Sequence, residues 1–321
     1  LITAKHHDGF ALWPSKASKY NVVDATPYKH DILGALATAC KKYDIKLGLY
    51  YSHWQDWEGT GGDVCATHMV NEEYVHPTDE AFEEYWQNKC LVQVRELMEG
   101  YDPKFFWFDS WNESSFKYIT PERQDELIDL IKGINPDCLV NSRIQFLAPS
   151  EKVDYISTMD NTFPDEGFEK PWETSGTLND SWGYHKLDFD WLTTRQLIQN
   201  LVKNAALGGN YQLNVGPMGN GCFQATAVRR LKDIGNWLSV NGESVYGTEG
   251  SPFGKQPWGK ITCKKSGDQL KTIYLHLWEF TPGTAIPAVN EISDRLTDEA
   301  YALALRISPH ARLDQSMDLL A

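Results

Sequence analysis

Long apolar runs are missing from this sequence of 321 residues. None approaches the ~20 consecutive apolar residues that a membrane-spanning helix needs, which argues against a membrane protein. Basic residues are also scarce, with 30 Lys and Arg against 44 Asp and Glu and a formal net charge of −14. Because an acidic surface repels phosphate groups, neither nucleic acid nor an anionic membrane surface is expected as a partner.

Closely spaced cysteine pairs are missing too: the sequence contains no CxxC motif. This absence argues against a zinc ribbon and against a small disulfide-stapled domain, and it leaves the redox compartment open. The six cysteines are scattered along the chain: Cys40, Cys65, Cys90, Cys138, Cys222 and Cys263.

Aromatic residues, in contrast, are abundant, with 12 Trp, 15 Tyr and 13 Phe. Large hydrophobic cores use such residues. Sugar-binding clefts use them as well, because aromatic rings lie against the apolar C–H faces of pyranoses.

Predicted strands and helices alternate along most of the chain. Short apolar strands are predicted at 46–51, 105–109, 138–143, 154–157 and 210–216. Amphipathic helices lie between them, and Asp31 is expected to cap the first. This alternation predicts an α/β protein with parallel strands, and a (β/α)8-like barrel is the leading architecture.

Three helices are predicted to end at glycines, the last of them, near 194–207, at Gly208 and Gly209. The first carries apolar residues from Phe82 to Leu97 and is expected to stop at Gly100, while the second runs over 122–132 and is expected to stop at Gly133. The segment after 157 is interpreted as a polar loop of about 30 residues, up to a helix near 194–207.

The predicted domains are a barrel over residues 1–250 and the start of a C-terminal β-rich domain over 251–321. Only about six βα units are recognisable, whereas a closed barrel needs eight. Because the sequence opens at the end of a predicted strand, Leu1–Ala4, we expect the barrel to be N-terminally incomplete and the true start to lie upstream.

Polar and aromatic side chains follow the predicted strands, which is where barrel enzymes place their active sites. Two carboxylates, a fixed cation, adjacent imidazoles and aromatic rings are together what hydrolysis of a glycosidic bond requires. The strand-end residues are His6, His7, Asp8, Tyr50, Tyr51, His53, Trp107, Asp109, Asn141, Arg143, Asp160 and Asn214.

Each of these residues also has a structural interpretation. Asp109 is equally suited to capping a helix, and Arg143 to pairing with a structural carboxylate. His6 and His7 lack the i, i+4 spacing of a metalloprotease helix, so no metal and no other cofactor is expected.

Six segments together resemble the α-L-fucosidases of glycoside hydrolase family 29. The resemblance covers about residues 1–250, in the order and spacing of the family. The segments are KHHDGFALWPSK, GLYYSHWQDW, FFWFDSW, LVNSR, KPWETSGTLNDSWGY and GGNYQLNVGPMGNG.

The resemblance implies a retaining exo-glycosidase that removes terminal α-L-fucose from glycoconjugates or oligosaccharides, with a (β/α)8-like barrel and a C-terminal β-sandwich. Asp109 falls where the family keeps its nucleophile. The family's fucose-binding positions fall on His6, His7, Tyr50, Trp107 and Arg143.

The acid/base residue is less sharply indicated. Asp160 is the nearest carboxylate in register after its strand, and Glu173 is the competitor, with loop positioning as the alternative role for Glu173. Glu166 and Glu169 rank below both. The resemblance requires a carboxyl group about 5–5.5 Å from the nucleophile, with a raised pKa.

The family's first two strands have no counterpart here, and with them a fucose-binding histidine and a glutamate–tryptophan pair are missing. Three interpretations follow: an incomplete gene product, a homo-oligomer whose second chain supplies the strands, or an inactive remnant. The alternative function is therefore a fucose-binding fragment without turnover, and a metal-dependent hydrolase ranks third.

Overall fold

The computed structural model describes residues 1–59, 61–64, 69–70, 73–74, 76–267, 269–278 and 303–304. The chain divides into two compact units, Leu1–Ile156 and Ser157–Ala321. Among the described residues, no helix is both long and apolar enough to cross a membrane.

The first unit is built on a parallel four-stranded sheet with the strands in chain order, β1-β2-β5-β6. The strands of this unit are β1 (Ile2–Lys5), β2 (Gly48–Tyr51), β3 (Met69–Val70), β4 (Glu73–Tyr74), β5 (Phe105–Phe108) and β6 (Leu139–Val140). The short β3 and β4 form a separate antiparallel pair.

Helices connect the parallel strands, as the sequence predicts. They are α1 (Val22–Ala25), α2 (Ile32–Lys42), α3 (Asp79–Tyr85), a π-helical turn (Trp86–Cys90), α4 (Leu91–Tyr101), α5 (Ser114–Tyr118) and α6 (Pro121–Ile134), followed by a 3₁₀ turn (Ser142–Ile144). The predicted cap of α2 is confirmed, because the Asp31 carboxylate accepts a hydrogen bond from the Gly34 N–H.

The predicted stops at Gly100 and Gly133 are wrong. The helix α4 passes through Gly100 and ends at Tyr101, where Asp102 adopts a left-handed conformation and its N–H donates to the Met98 carbonyl. Gly133 lies inside α6. The space beside both glycines is open, so neither position requires a residue without a side chain.

The core of this unit lies between the sheet and its helices. Phe106 and Phe108 on β5 are fully buried, with Val94 and Leu97 of α4 and Leu127 of α6 in the same apolar cluster. Full burial of each large apolar side chain contributes about 1.5–3 kcal/mol. This packing holds the ends of β2 and β5 in place.

The second unit contains a three-stranded sheet in the order β7-β8-β9, in which β8 and β9 are parallel. Its elements are β7 (Ile156–Ser157), β8 (Trp172–Gly176), α7 (Thr194–Ala206), β9 (Asn210–Leu213), α8 (Ala225–Asn241), a 3₁₀ turn (Gly242–Ser244), β10 (Gly259–Ser266), β11 (Gln269–Leu277) and β12 (Leu303–Ala304). The β10–β11 pair is antiparallel, and β12 runs parallel to β11.

The strand β8 was not predicted from the sequence, and it lies inside the expected polar loop. Its buried side chains include Thr174 and Ser175, which do not form an apolar pattern. The Thr158 hydroxyl donates to that of Thr174 at 3.1 Å, so the strand buries a hydroxyl that has a partner.

Candidate active site

The carboxyl ends of β1, β2, β5 and β6 lie at one edge of the parallel sheet. His6 and His7 follow β1, and Asp109 follows β5 directly. Tyr50 of β2 is paired in register with Trp107 of β5. The structure therefore brings together six side chains that the sequence analysis singled out: His6, His7, Tyr50, Trp107, Asp109 and Arg143.

Asp109 lies at the centre of this group and is 8% exposed. Its Oδ1 accepts a hydrogen bond from Nη2 of Arg143 at 2.5 Å, and its Oδ2 accepts one from the Tyr50 hydroxyl at 2.6 Å. Trp54 donates its indole N–H to the Asp109 backbone carbonyl at 2.8 Å. Both carboxylate oxygens and the backbone are thus fixed by neighbours.

These partners decide the protonation state of Asp109. Burial by itself raises the pKa of a carboxyl group, but the Arg143 guanidinium and the Tyr50 hydrogen bond outweigh it, so the pKa of Asp109 lies below its ordinary value. Asp109 is therefore an anion at neutral pH, as a carboxylate nucleophile must be.

Four of the side chains form a stack. The imidazole of His6 lies parallel to the Tyr50 ring at 4.9 Å between centroids, and the Tyr50 ring lies 5.4 Å from that of Trp107. The Arg143 guanidinium lies 4.6 Å from the centre of the Trp107 ring. Stacking fixes the planes of these groups and adds a cation–π contact to the Arg143–Asp109 pair.

His7 is buried beside Asp109. Its Nε2 lies 3.6 Å from Oδ2 of Asp109, and its Nδ1 lies 2.6 Å from the Ser52 hydroxyl. Desolvation lowers the pKa of His7 to about 3, despite the opposing charge of Asp109. The imidazole is therefore neutral at neutral pH.

A buried ionic cluster, which the sequence analysis missed, lies next to the end of β1. The Lys5 ammonium donates to Oδ2 of Asp56 at 2.7 Å, and Lys89 donates to Oδ1 of Asp56 at 3.0 Å and to Glu58. Lys5 and Asp56 are both 0% exposed. The signal in the sequence was Lys5 directly after an apolar strand, since a buried lysine requires an acidic partner.

Two other strand-end residues have structural roles. The Asn141 side chain accepts from the Phe108 N–H at 2.9 Å and donates to the Phe108 carbonyl at 3.1 Å. His53 is fully buried and donates its Nε2–H to the Ile144 carbonyl at 2.8 Å. Asn141 thus acts as a strand partner for the residue that precedes Asp109.

His6, His7 and Asp109 form a group whose potential metal-ligand atoms all lie within 4.8 Å of one another. Their surroundings do not suit a cation. The guanidinium of Arg143 already neutralises Asp109, and a divalent ion there would lie next to a fixed positive charge.

The two acid/base candidates, Asp160 and Glu173, belong to the second unit. Asp160 is exposed and lies three residues after β7 ends. Glu173 is half-buried as the second residue of β8, and its Oε1 accepts from the Ser157 hydroxyl at 2.5 Å.

Known proteins resemble this chain over most of its length. A family model described as alpha-L-fucosidase matches residues 1–243. The tissue alpha-L-fucosidase of Homo sapiens is 28% identical over 296 residues, which are 86% of this chain and 58% of the human protein. The chain thus spans less than two thirds of that relative.

Two solved structures are similar in fold and in sequence. An alpha-L-fucosidase from Vibrio sp. strain EJY3 is 34% identical with a TM-score of 0.73, over 87% of this chain and 47% of that one. An alpha-L-fucosidase from Lactobacillus casei in complex with alpha-L-fucose product is 33% identical with a TM-score of 0.63, over 75% of each chain. With the family model matching about three quarters of the sequence, this chain belongs to the alpha-L-fucosidase family.

Proposed function

We propose that this chain is a glycoside hydrolase that removes terminal α-L-fucose from glycoconjugates or oligosaccharides by a retaining double displacement. The observation that carries the proposal is the Asp109 carboxylate, which is buried and yet held ionised by Arg143 and Tyr50. Membership of the alpha-L-fucosidase family supplies the substrate class.

In the first step, a carboxylate oxygen of Asp109 attacks the anomeric carbon as the glycosidic C–O bond breaks. The leaving oxygen takes a proton from the acid/base residue, and a fucosyl ester of Asp109 remains. In the second step, water gives a proton to the same residue and adds to the anomeric carbon, which frees Asp109. Two inversions at one carbon give net retention.

Asp160 is the proposed acid/base residue, and Glu173 is the alternative. Asp160 follows the carboxyl end of β7, where barrel enzymes keep reacting groups. Glu173 lies within β8, three residues remain in the strand after it, and its carboxylate is hydrogen-bonded to Ser157. This arrangement favours a structural role for Glu173.

His6, His7, Tyr50, Trp107 and Arg143 are the proposed fucose-binding residues. Their rings and polar atoms surround the carboxylate that attacks, so a sugar next to Asp109 meets both an aromatic surface and hydrogen-bonding groups. Rings of this kind pack against the apolar side of a pyranose.

We also propose that residues 1–250 belong to a (β/α)8-like barrel and that 251–321 begin a C-terminal β-rich domain. Four parallel strands in chain order and a second parallel pair, β8–β9, support the barrel, and the antiparallel β10–β11 pair supports the second domain.

The test is release of nitrophenol from a nitrophenyl α-L-fucoside. Wild type and the exposed-site control Asp137→Ala should turn over equally. Asp109→Ala should lose at least about 10³-fold in kcat, because its nucleophile is missing. Azide should restore turnover of Asp109→Ala as a fucosyl azide of inverted configuration, and the first sugar released by wild type should be the α-anomer.

A parallel comparison of Asp160→Ala with Glu173→Ala identifies the acid/base residue. Replacing the acid/base residue should slow hydrolysis of a natural disaccharide far more than hydrolysis of the nitrophenyl fucoside, because the nitrophenyl leaving group needs little protonation. A folded wild-type chain that binds fucose without turnover would overturn the hydrolase proposal and favour the sugar-binding alternative.

A further inference from the structure

Ser52 connects His7 to the backbone of the following loop. It comes directly after β2 and is 0% exposed. Its Oγ lies 2.6 Å from Nδ1 of His7, and its hydroxyl donates to the Gln55 carbonyl at 2.9 Å.

These two contacts determine which ring nitrogen of His7 carries the proton. A serine hydroxyl has a single hydrogen, and a carbonyl oxygen can only accept. Because that hydrogen is used on Gln55, Nδ1 of His7 must be the donor to Ser52. A neutral imidazole has only one N–H, so Nε2 is left as an acceptor.

The Gln55 carbonyl is held in place by its surroundings. The Asp56 N–H donates to the Asp63 carbonyl at 3.1 Å, and the Asp63 N–H donates to the Trp54 carbonyl at 2.8 Å. The residues on both sides of Gln55 are therefore fixed, and the acceptor that orients the Ser52 hydroxyl does not depend on substrate.

The contact between His7 and Asp109 agrees with this tautomer. Nε2 lies 3.6 Å from Oδ2 of Asp109, beyond hydrogen-bond distance, as expected for two acceptors. The Oδ2 atom receives its hydrogen bond from Tyr50 instead.

We infer that Ser52 is a positioning residue that holds His7 in its Nδ1–H tautomer, so that Nε2 accepts the O–H of a hydroxyl group on the bound sugar. The inference rests on the proposed function for the identity of that sugar. A hydroxyl bound in this way directs its hydrogen to His7 and away from Asp109.

The tautomer can be read directly by nitrogen-15 NMR of the histidine side chains in the full chain. The His7 signals are those that disappear in His7→Asn. In wild type, Nδ1 should show the shift of a protonated nitrogen and Nε2 that of an unprotonated one. The Nε2–H tautomer in wild type would overturn the inference, whether or not the chain turns over a fucoside.

The kinetic test is a double-mutant cycle on a nitrophenyl α-L-fucoside. Ser52→Ala should lower kcat/KM about tenfold, the equivalent of one net hydrogen bond. In a His7→Ala background the same change should have no further effect, because Ser52 acts through His7. Equal losses in both backgrounds would contradict the role.

Two further variants separate positioning from folding. Ser52→Thr keeps the hydroxyl and should retain the tautomer and most of the activity. Ser115→Ala is a matched control, because Ser115 is also 0% exposed and donates to a carbonyl, that of Asn112 at 2.8 Å. It should leave both the His7 signals and kcat/KM unchanged.

Discussion

The guanidinium of Arg143 donates to Oδ1 of Asp109 at 2.5 Å, in a pair whose side chains are only 2% and 12% exposed. Little solvent screens this pair, so each charge strongly affects the other. Arg143 is itself held by its stack on Trp107.

Replacing Arg143 with Met should shift the pH dependence of the reaction. In the proposed mechanism Asp109 must be ionised to attack, so activity should fall as pH drops through its pKa. Since Arg143 lowers that pKa, its removal should move the acidic limb of the kcat/KM profile to higher pH. The value of kcat/KM should also fall about 10²–10³-fold. The exposed Arg95, changed to Met, is the matched control. An unmoved acidic limb would contradict the electrostatic role.

Replacing Tyr50 with Phe removes one hydrogen bond and keeps the ring stacked between His6 and Trp107. A hydrogen bond to a charged group contributes about 1.5–3 kcal/mol, so kcat/KM should fall about 10- to 100-fold. The thermal unfolding midpoint should fall as well, because this buried hydrogen bond is already made in the free protein, whereas Tyr43→Phe on the surface should change neither quantity. A loss confined to stability would show that the hydroxyl has no part in the reaction.

Replacing Asp56 with Asn should destabilise the first unit. It leaves the buried Lys5 and Lys89 ammonium groups without their shared carboxylate, a loss of about 3–5 kcal/mol in the free energy of unfolding. Urea denaturation measures it, with the surface residue Asp129 changed to Asn as control. If the two variants unfold at the same urea concentration, the cluster does not stabilise the fold.

Stability should also fall as pH decreases from 7 to 4. Burial lowers the pKa of His53 to about 4 and that of His7 to about 3, whereas both titrate near 6.5 in the unfolded chain. The unfolded state therefore binds more protons in this window, and the folded state loses stability as pH falls through it. His53→Gln, which keeps a donor for Ile144, should reduce the slope of unfolding free energy against pH. An unchanged slope would contradict the burial argument.

Treatment with a chelator should leave turnover of the fucoside unchanged, and added divalent metal should not raise it. The reason is that Arg143 supplies the positive charge next to Asp109. The comparison needs metal analysis of the same sample before and after treatment. A stoichiometric metal whose removal abolishes turnover would favour the metal-dependent hydrolase.

The parallel strands of the first unit and the site residues around Asp109 were predictable because their sequence signal is local. The apolar runs FFWF and GLYY each end at a polar or aromatic group, and parallel pairing brings these ends together without further information. The grouping of Asp109 with the five residues around it follows from that rule.

Other features depend on partners distant in sequence. Thr174 and Ser175 resemble loop residues until a neighbouring hydroxyl is in place, and Lys5 becomes a core residue only because Asp56, 51 positions later, reaches it. The role of Ser52 depends on the direction of a single hydroxyl hydrogen. The acid/base residue and the C-terminal domain boundary stay predictions.

The Asn141 side-chain amide hydrogen-bonds to both the N–H and the carbonyl of Phe108. This pair of bonds has a consequence for how the molecule could evolve. Together with Trp54 on the Asp109 carbonyl, it fixes the position of Asp109 before any substrate arrives. Loop positions that do not contact Asp109 can then change in sequence without displacing the carboxylate. If the chain acts as proposed, its preference for one glycan over another can therefore change while the position of the carboxylate stays the same.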